Sequence, residues 1–298
     1  MKLHIVHETC YAYSPPVDTA KHIVHLKPRD TASQALLQHE LVITPVVASR
    51  SERIDVWGNT RTFFALQSAH AQLRVVADSL VETWAPPAAP AGGGPAWEAV
   101  RERFRYQAGS TWDRAAEFVF PSEYVPRHDD FAAYARPLFT PGLPVLVAAE
   151  ALMRCIHADF RYESDSTEVN TPAVEALAQR RGVCQDFAHI MVACLRTMGV
   201  PARYVSGYLL TEPPPGKPRL IGSDASHAWV SVYVPPADGD AAAEGRWHDF
   251  DPTNDRTPGE DYVTIAFGRD FGDVSPMRGL LHGGDEHTLD VAVTVEPV

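Results

Sequence analysis

RRGVCQDFAHIMVACLRTMGVP (residues 180–201) is the stretch from which the rest of the chain is read. From Cys184 onward, Phe187, Ala188, Met191, Leu195 and Met198 recur at helical spacing until Gly199-Val200-Pro201 breaks the pattern, so a mostly buried helix is expected here. Cys184 then falls in the first turn, where free N–H groups and the helix dipole favour an anion, and a thiolate is the nucleophilic form of cysteine. Cys194, ten residues on, faces elsewhere and reads as ordinary packing.

Upstream, VLVAAEALMRCIHADF (145–160) carries Val145, Ala149, Leu152, Met153 and Ile156 at helical spacing, and WEAVRERFRYQ (97–107) reads the same way. TPAVEALAQRRG (171–182) predicts a helix capped by Thr171, opened by Pro172 and stopped by Gly182. Downstream, ARYVSGYLL (202–210), HAWVSVYVP (227–235) and RWHDFDP (246–252) alternate as strands, and HTLDVAVTVEP (287–297) supplies a last one. Helices followed by antiparallel strands make this half α+β.

APPAAPAGGGP (85–95) consists only of Ala, Pro and Gly and is placed as a linker. Before it, LHIVHETCYAY, HELVITPVV, TRTFFALQ and AQLRVVADSLVETW read as strands, separated by turn pieces such as SPPVD, KPRD and WGN. The division is a β-rich domain over 1–84, the linker, and a second domain over 96–298. Its last strand, 287–297, either closes the second domain or joins the first.

His227, on a predicted strand, is a candidate base for Cys184. If its strand forms a hairpin with RWHDFDP, an acid there reaches His227 and fixes its tautomer. Asp249 and Asp251 share a strand face, and the crude distance from the turn favours Asp251. Asp224 is an alternative acid. Trp229, Tyr233 and Trp247 read as core or cleft wall rather than a stacking platform.

The 298 residues include 26 Lys plus Arg against 38 Asp plus Glu, a net charge of −12 that repels phosphate backbones and anionic lipid heads. Nucleic acid and membrane partners are not expected. With 45% hydrophobic and 21% charged residues the composition is that of an ordinary folded chain. Four scattered cysteines read as reduced thiols. The first residues lack the apolar run of a signal peptide, so a cytoplasmic location is the expectation. No cofactor is expected, since GxGxxG and Walker motifs are absent, and no metal. His282, Asp285, Glu286 and His287 crowd together in LHGGDEHT, but its two glycines make a polar turn the simpler account.

GVCQDFAHIMVACLRTMGVPARYVSGYL, SHAWVSVYVP and WHDFDPTND together resemble the three blocks of the bacterial transglutaminase-like superfamily, in its order and spacing, over roughly 143–270. PPV, LKPR and DVWGN resemble the β-rich domain that often precedes it. The resemblance implies a papain-like transglutaminase core behind a β-sandwich-like domain, with Cys184 as nucleophile, His227 as general base and Asp251 as orienting acid. It also implies acyl transfer on a peptide or protein amide through a Cys thioester, released to water (a cysteine peptidase or amidase) or to an amine (a transglutaminase). Hydrolysis is narrowly preferred, because water abounds and no residues of an amine site stand out. A non-catalytic binding module with a papain-like shape is the alternative from another class. The Cys184 N–H is the expected oxyanion donor, with Gln185 and Tyr162 as side-chain candidates. Oligomeric state has no signature in the sequence.

Overall fold

The computed structural model describes residues 1–108, 113–163, 171–211, 226–236 and 245–298. Two antiparallel sheets dominate it. The first has the order β2-β5-β1-β4-β3, formed by β1 (Lys2–Val24), β2 (Gln34–Thr44), β3 (Ser49–Ile54), β4 (Thr60–Leu66) and β5 (His70–Thr83). The expected turn at SPPVD is instead part of one 23-residue strand. Pairing with β5 skips from Ala12 to Val17, so Pro15 and Pro16, which have no N–H, sit where no ladder bond is asked of them. The pairing register shifts there, and the curled sheet packs around Val17, Leu41, Leu66, Leu73 and Val75. This single curled sheet is the β-sandwich-like domain.

The second unit contains α1 (Trp97–Arg103), α2 (Asp129–Ala135), α3 (Val145–Asp159), β6 (Arg161–Tyr162), α4 (Ala173–Gln179), β7 (Arg181–Gly182) and α5 (Cys184–Thr197). The strands β8 (Ala202–Leu209), β9 (Ser226–Val234), β10 (Arg246–Phe250) and β11 (Tyr262–Gly268) follow, in the order β10-β9-β8-β11. After α6 (Phe271–Val274), the chain returns to the first sheet. There β12 (Met277–Gly283) pairs with the second half of β1 and β13 (Glu286–Pro297) with its first half. Residues 277–297 are thus strands of the N-terminal sheet.

Every residue of α5 from Asp186 to Arg196 is buried, as expected of a helix apolar on most sides. Arg196 tolerates this because its guanidinium donates to the carbonyls of Ala202, Phe120 and Arg269 and to Ser122 Oγ. Gly199, at φ +81°, ends the helix as its sequence position suggests. The helix α4 departs from expectation at both ends: Pro172 occupies the cap without a side-chain bond, and Arg180, not Gly182, takes the left-handed conformation that stops it.

The two units are joined by side chains that imitate a strand. β11 is a sheet edge, and its backbone groups pair with two buried amides of the first domain. Gln34 donates to the Thr264 carbonyl at 2.8 Å and accepts from the Thr264 N–H at 2.8 Å. Asn59 does the same at Phe267, at 2.8 and 3.1 Å. Arg29 bonds Asn59 Oδ1 at 2.8 Å and lies over the Phe267 ring at 3.9 Å, which gives LKPR and DVWGN a shared structural task. Buried His7 meets the Tyr208 hydroxyl at 2.8 Å across the same junction, and Leu3, Ile5 and Val81 belong to the core around α5.

Candidate active site

Cys184 is the first residue of α5, and its position is set by the segment before it. β6 and β7 pair in parallel, Tyr162 against Gly182, with the Glu163 N–H bonded to the Gly182 carbonyl at 3.0 Å. Val183 is extended, and its N–H donates to Asp186 Oδ2 at 2.8 Å, the reach-back of an N3 acid that fixes where a helix starts. Gly182 is required by space, since a Cβ there would lie 2.5 Å from Asp186 Oδ2. Cys184 is partly exposed at the site surface, whereas Cys194 is fully buried, its thiol pushed up strongly by burial.

His227 stands near the start of β9, paired with Gly207 of β8. Its Nε2–H donates to Asp251 Oδ2 at 2.7 Å. That leaves Nδ1 for the hydrogen bond that His227 shares with Cys184. Burial alone would lower the imidazole's pKa. The hydrogen bonds to Asp251 and Cys184, with the charges of both, outweigh it and push it up to about 10. Asp251 has no exposed surface. Desolvation opposes its charge, but His227 first, then Asn254 and Tyr262, hold its carboxyl below the usual range. Each partner therefore favours the ionised form of the other.

The structure brings Cys184, His227 and Asp251 together and sends Asp249 elsewhere. Asp249 lies opposite Ser231, accepts from Ser231 Oγ in a short hydrogen bond, and accepts from Trp229 Nε1 at 3.1 Å. Trp229 is fully buried beside His227, and Tyr233 packs on Trp247, so this aromatic group is core and support. Asp224 lies outside the described residues. Tyr162 is about half exposed, its hydroxyl raised by burial and then by the nearby Cys184. LHGGDEHT is the β12–β13 turn, with His282 at 3.6 Å from Asp18 and His287 against Tyr11. Among the described residues no group of three His, Cys, Asp or Glu could hold a metal ion.

Two residues of the site were missed in the sequence. Asn254 donates its amide to Asp251 Oδ2 at 2.7 Å, while the Thr253 and Asn254 N–H groups cap Oδ1 at 2.9 and 3.3 Å. The spacing of Asp251-Pro252-Thr253-Asn254 was the available signal, since Asp commonly bonds the backbone two and three residues on. Tyr262 donates to Asp251 Oδ2 at 2.7 Å from β11, a strand with no marker that ties it to the site.

Residues 3–82 match the bacterial transglutaminase-like N-terminal region, and residues 132–252 match the transglutaminase-like superfamily. An uncharacterised protein of Mycobacterium tuberculosis is 39% identical over 99% of this chain and 93% of its own length. One of Mycobacterium leprae is 33% identical over 99% and 98%. A protein-glutamine gamma-glutamyltransferase of Pseudomonas aeruginosa is 31% identical over 39% of this chain and 16% of its own. In fold, the chain is similar to a candidate cysteine protease from Cytophaga hutchinsonii, with a TM-score of 0.73, 23% identity, and coverage of 99% and 90%. No helix among the described residues is long and apolar enough to cross a membrane. The chain belongs to the bacterial transglutaminase-like proteins: a transglutaminase-like core preceded by their N-terminal domain.

Proposed function

We propose that this protein is a thiol-dependent acyl-transfer enzyme that acts on amide bonds of peptides or proteins, with Cys184 as nucleophile, His227 as general acid and base, and Asp251 as its orienting acid. The observation that carries the reading is the line of contacts in which Cys184, at a helix start, meets an imidazole whose other nitrogen donates to buried Asp251 at 2.7 Å. The Cys184 thiolate attacks the amide carbonyl carbon, and the Cys184 N–H at the helix start stabilises the oxyanion. The C–N bond breaks as imidazolium His227 gives its proton to the departing amine, leaving a thioester. Water then loses a proton to neutral His227 and attacks. The C–S bond breaks, and acid, thiolate and imidazolium result.

Hydrolysis is favoured over amine transfer because Cys184 is partly exposed and Tyr162 beside it is half exposed, so among the described residues the thioester stands open to water. An amine acceptor wins only where a shaped site excludes water. The test is mass spectrometry of peptide libraries incubated with the wild type and with Cys184→Ala, with and without a primary amine. Shortened peptides made by the wild type alone are expected. Ammonia loss with amine incorporation would instead identify transfer, and equal products from both proteins would reject Cys184 as nucleophile.

A further inference from the structure

Tyr262 begins β11 and is buried, with 5% of its surface exposed. Its hydroxyl donates to Asp251 Oδ2, the same oxygen that accepts from His227, each at 2.7 Å. The ring lies 6.1 Å from the His227 imidazole and meets Trp229 edge-on at 5.4 Å. Of the groups bonded to the Asp251 carboxylate, Asn254 and Thr253 come from its own loop and His227 is the group to be oriented. Among the described residues, Tyr262 is the one partner besides His227 itself that ties the carboxylate to another strand. That strand is the one gripped by the N-terminal domain. Gln34 pairs with both backbone groups of Thr264, Asn59 with both of Phe267, and Thr83 Oγ1 donates to the Glu260 carbonyl at 2.6 Å just before the strand.

We propose that Tyr262 is a positioning residue that fixes Asp251 against His227, and that the N-terminal domain sets the site's reactivity by holding β11 in place beneath it. The proposal rests on the catalytic reading of Cys184, His227 and Asp251. A carboxylate bonded only to its own loop shifts with that loop, and displacement of about 1 Å at a reacting centre costs on the order of a hundredfold in rate. Tyr262 supplies a fixed point from across the sheet. Among the described residues, the titratable and charged groups around Asp251 are His227 from β9, Cys184 of α5 beyond it, Tyr262 from β11, and, against the Thr253 carbonyl of the Asp251 loop at 3.0 Å, His157 of α3. Arg256 lies over the Tyr262 ring at 5.0 Å and is itself paired with Asp261 at 2.6 Å.

The test compares full-length wild type, Tyr262→Phe and Gln34→Ala by the rate of Cys184 alkylation from about pH 4 to 10, with thermal melting as a control for folding. Tyr262→Phe should slow alkylation at neutral pH about tenfold and move the acidic limb of the profile to higher pH, because the Asp251 carboxylate loses a donor. Gln34→Ala, which leaves every side chain at the site intact, should move the limb the same way by less. A Tyr262→Phe profile that superimposes on the wild type's would overturn the proposal. If Tyr262→Phe does not fold, an unchanged profile in Gln34→Ala overturns it instead. A wild-type rate no higher than a free thiol's would overturn the catalytic reading and the proposal with it, which separates the two failures.

Discussion

Asp249 and Asp251 are two residues apart, yet only Asp251 reaches His227, at 2.7 Å, while Asp249 binds Trp229 and Ser231 beneath it. Trp247 is paired with Tyr233, and that register carries Asp251 opposite Trp229, one side-chain repeat short of His227. The loop after Phe250 closes the remaining gap. Asp251→Asn is therefore expected to reduce kcat by about three to four orders of magnitude, the scale seen when the orienting acid of a triad is neutralised. Asp249→Asn should reduce it by tenfold or less while lowering stability by about 1–3 kcal/mol through the Trp229 and Ser231 bonds. Steady-state kinetics and denaturant unfolding of both variants check this. Equal losses of kcat would refute the division of labour.

The thiols should differ sharply in reactivity. Cys194 is fully buried with its thiol pushed far up by burial; Cys155 is raised first by burial and then by Asp159, against an opposing hydrogen bond from Tyr134, and Cys10 is raised by burial and then by Glu8. Cys184 is expected to take iodoacetamide first at pH 7, by tenfold or more, as read by peptide mapping over time. Earlier labelling of Cys10 or Cys155 would contradict the account.

The His227–Asp251 pair also makes stability depend on pH. His227 is raised from 6.5 to about 10, so its contribution is complete below about 6.5 and is lost as pH rises through about 10. Asp251 is lowered from 3.8, so its contribution is complete above that value and is lost as pH falls below it. The melting-temperature gap between wild type and Asp251→Asn should be widest near pH 5–6 and narrow toward both extremes. A gap that widens steadily from pH 7 to pH 10 would be the wrong sign.

At the domain junction, Asn59→Ala leaves both backbone groups of Phe267 without their side-chain partner and takes a donor from Asp55 Oδ2, which keeps Arg61 at 3.4 Å. A loss of about 2–4 kcal/mol is expected by urea unfolding. A change below about 0.5 kcal/mol would show that water replaces the amide without cost.

Much of this molecule was legible because its signals are local. The apolar spacing after Cys184, the break at Gly199, and the alternation around His227 mark elements whose faces are decided by their neighbours in the chain. What was not legible depends on partners far away. The prolines at 15 and 16 read as a turn because nothing local shows that both neighbouring strands skip them. The return of 277–283 to β1, and Tyr262's reach to Asp251, are fixed only when the sheets assemble. Gln34 and Asn59 look like ordinary polar residues until β11 arrives as an unpaired edge.

The proposed chemistry passes through a covalent acyl group on Cys184. Intact-mass and peptide-level spectrometry of acid-quenched enzyme, mixed with an activated acyl substrate, measures it directly. One acyl adduct is expected on Cys184; it forms faster than it decays, is absent from Cys184→Ala, and persists longer in His227→Ala. Turnover with no adduct on Cys184, or undiminished in Cys184→Ala, would contradict this chemistry.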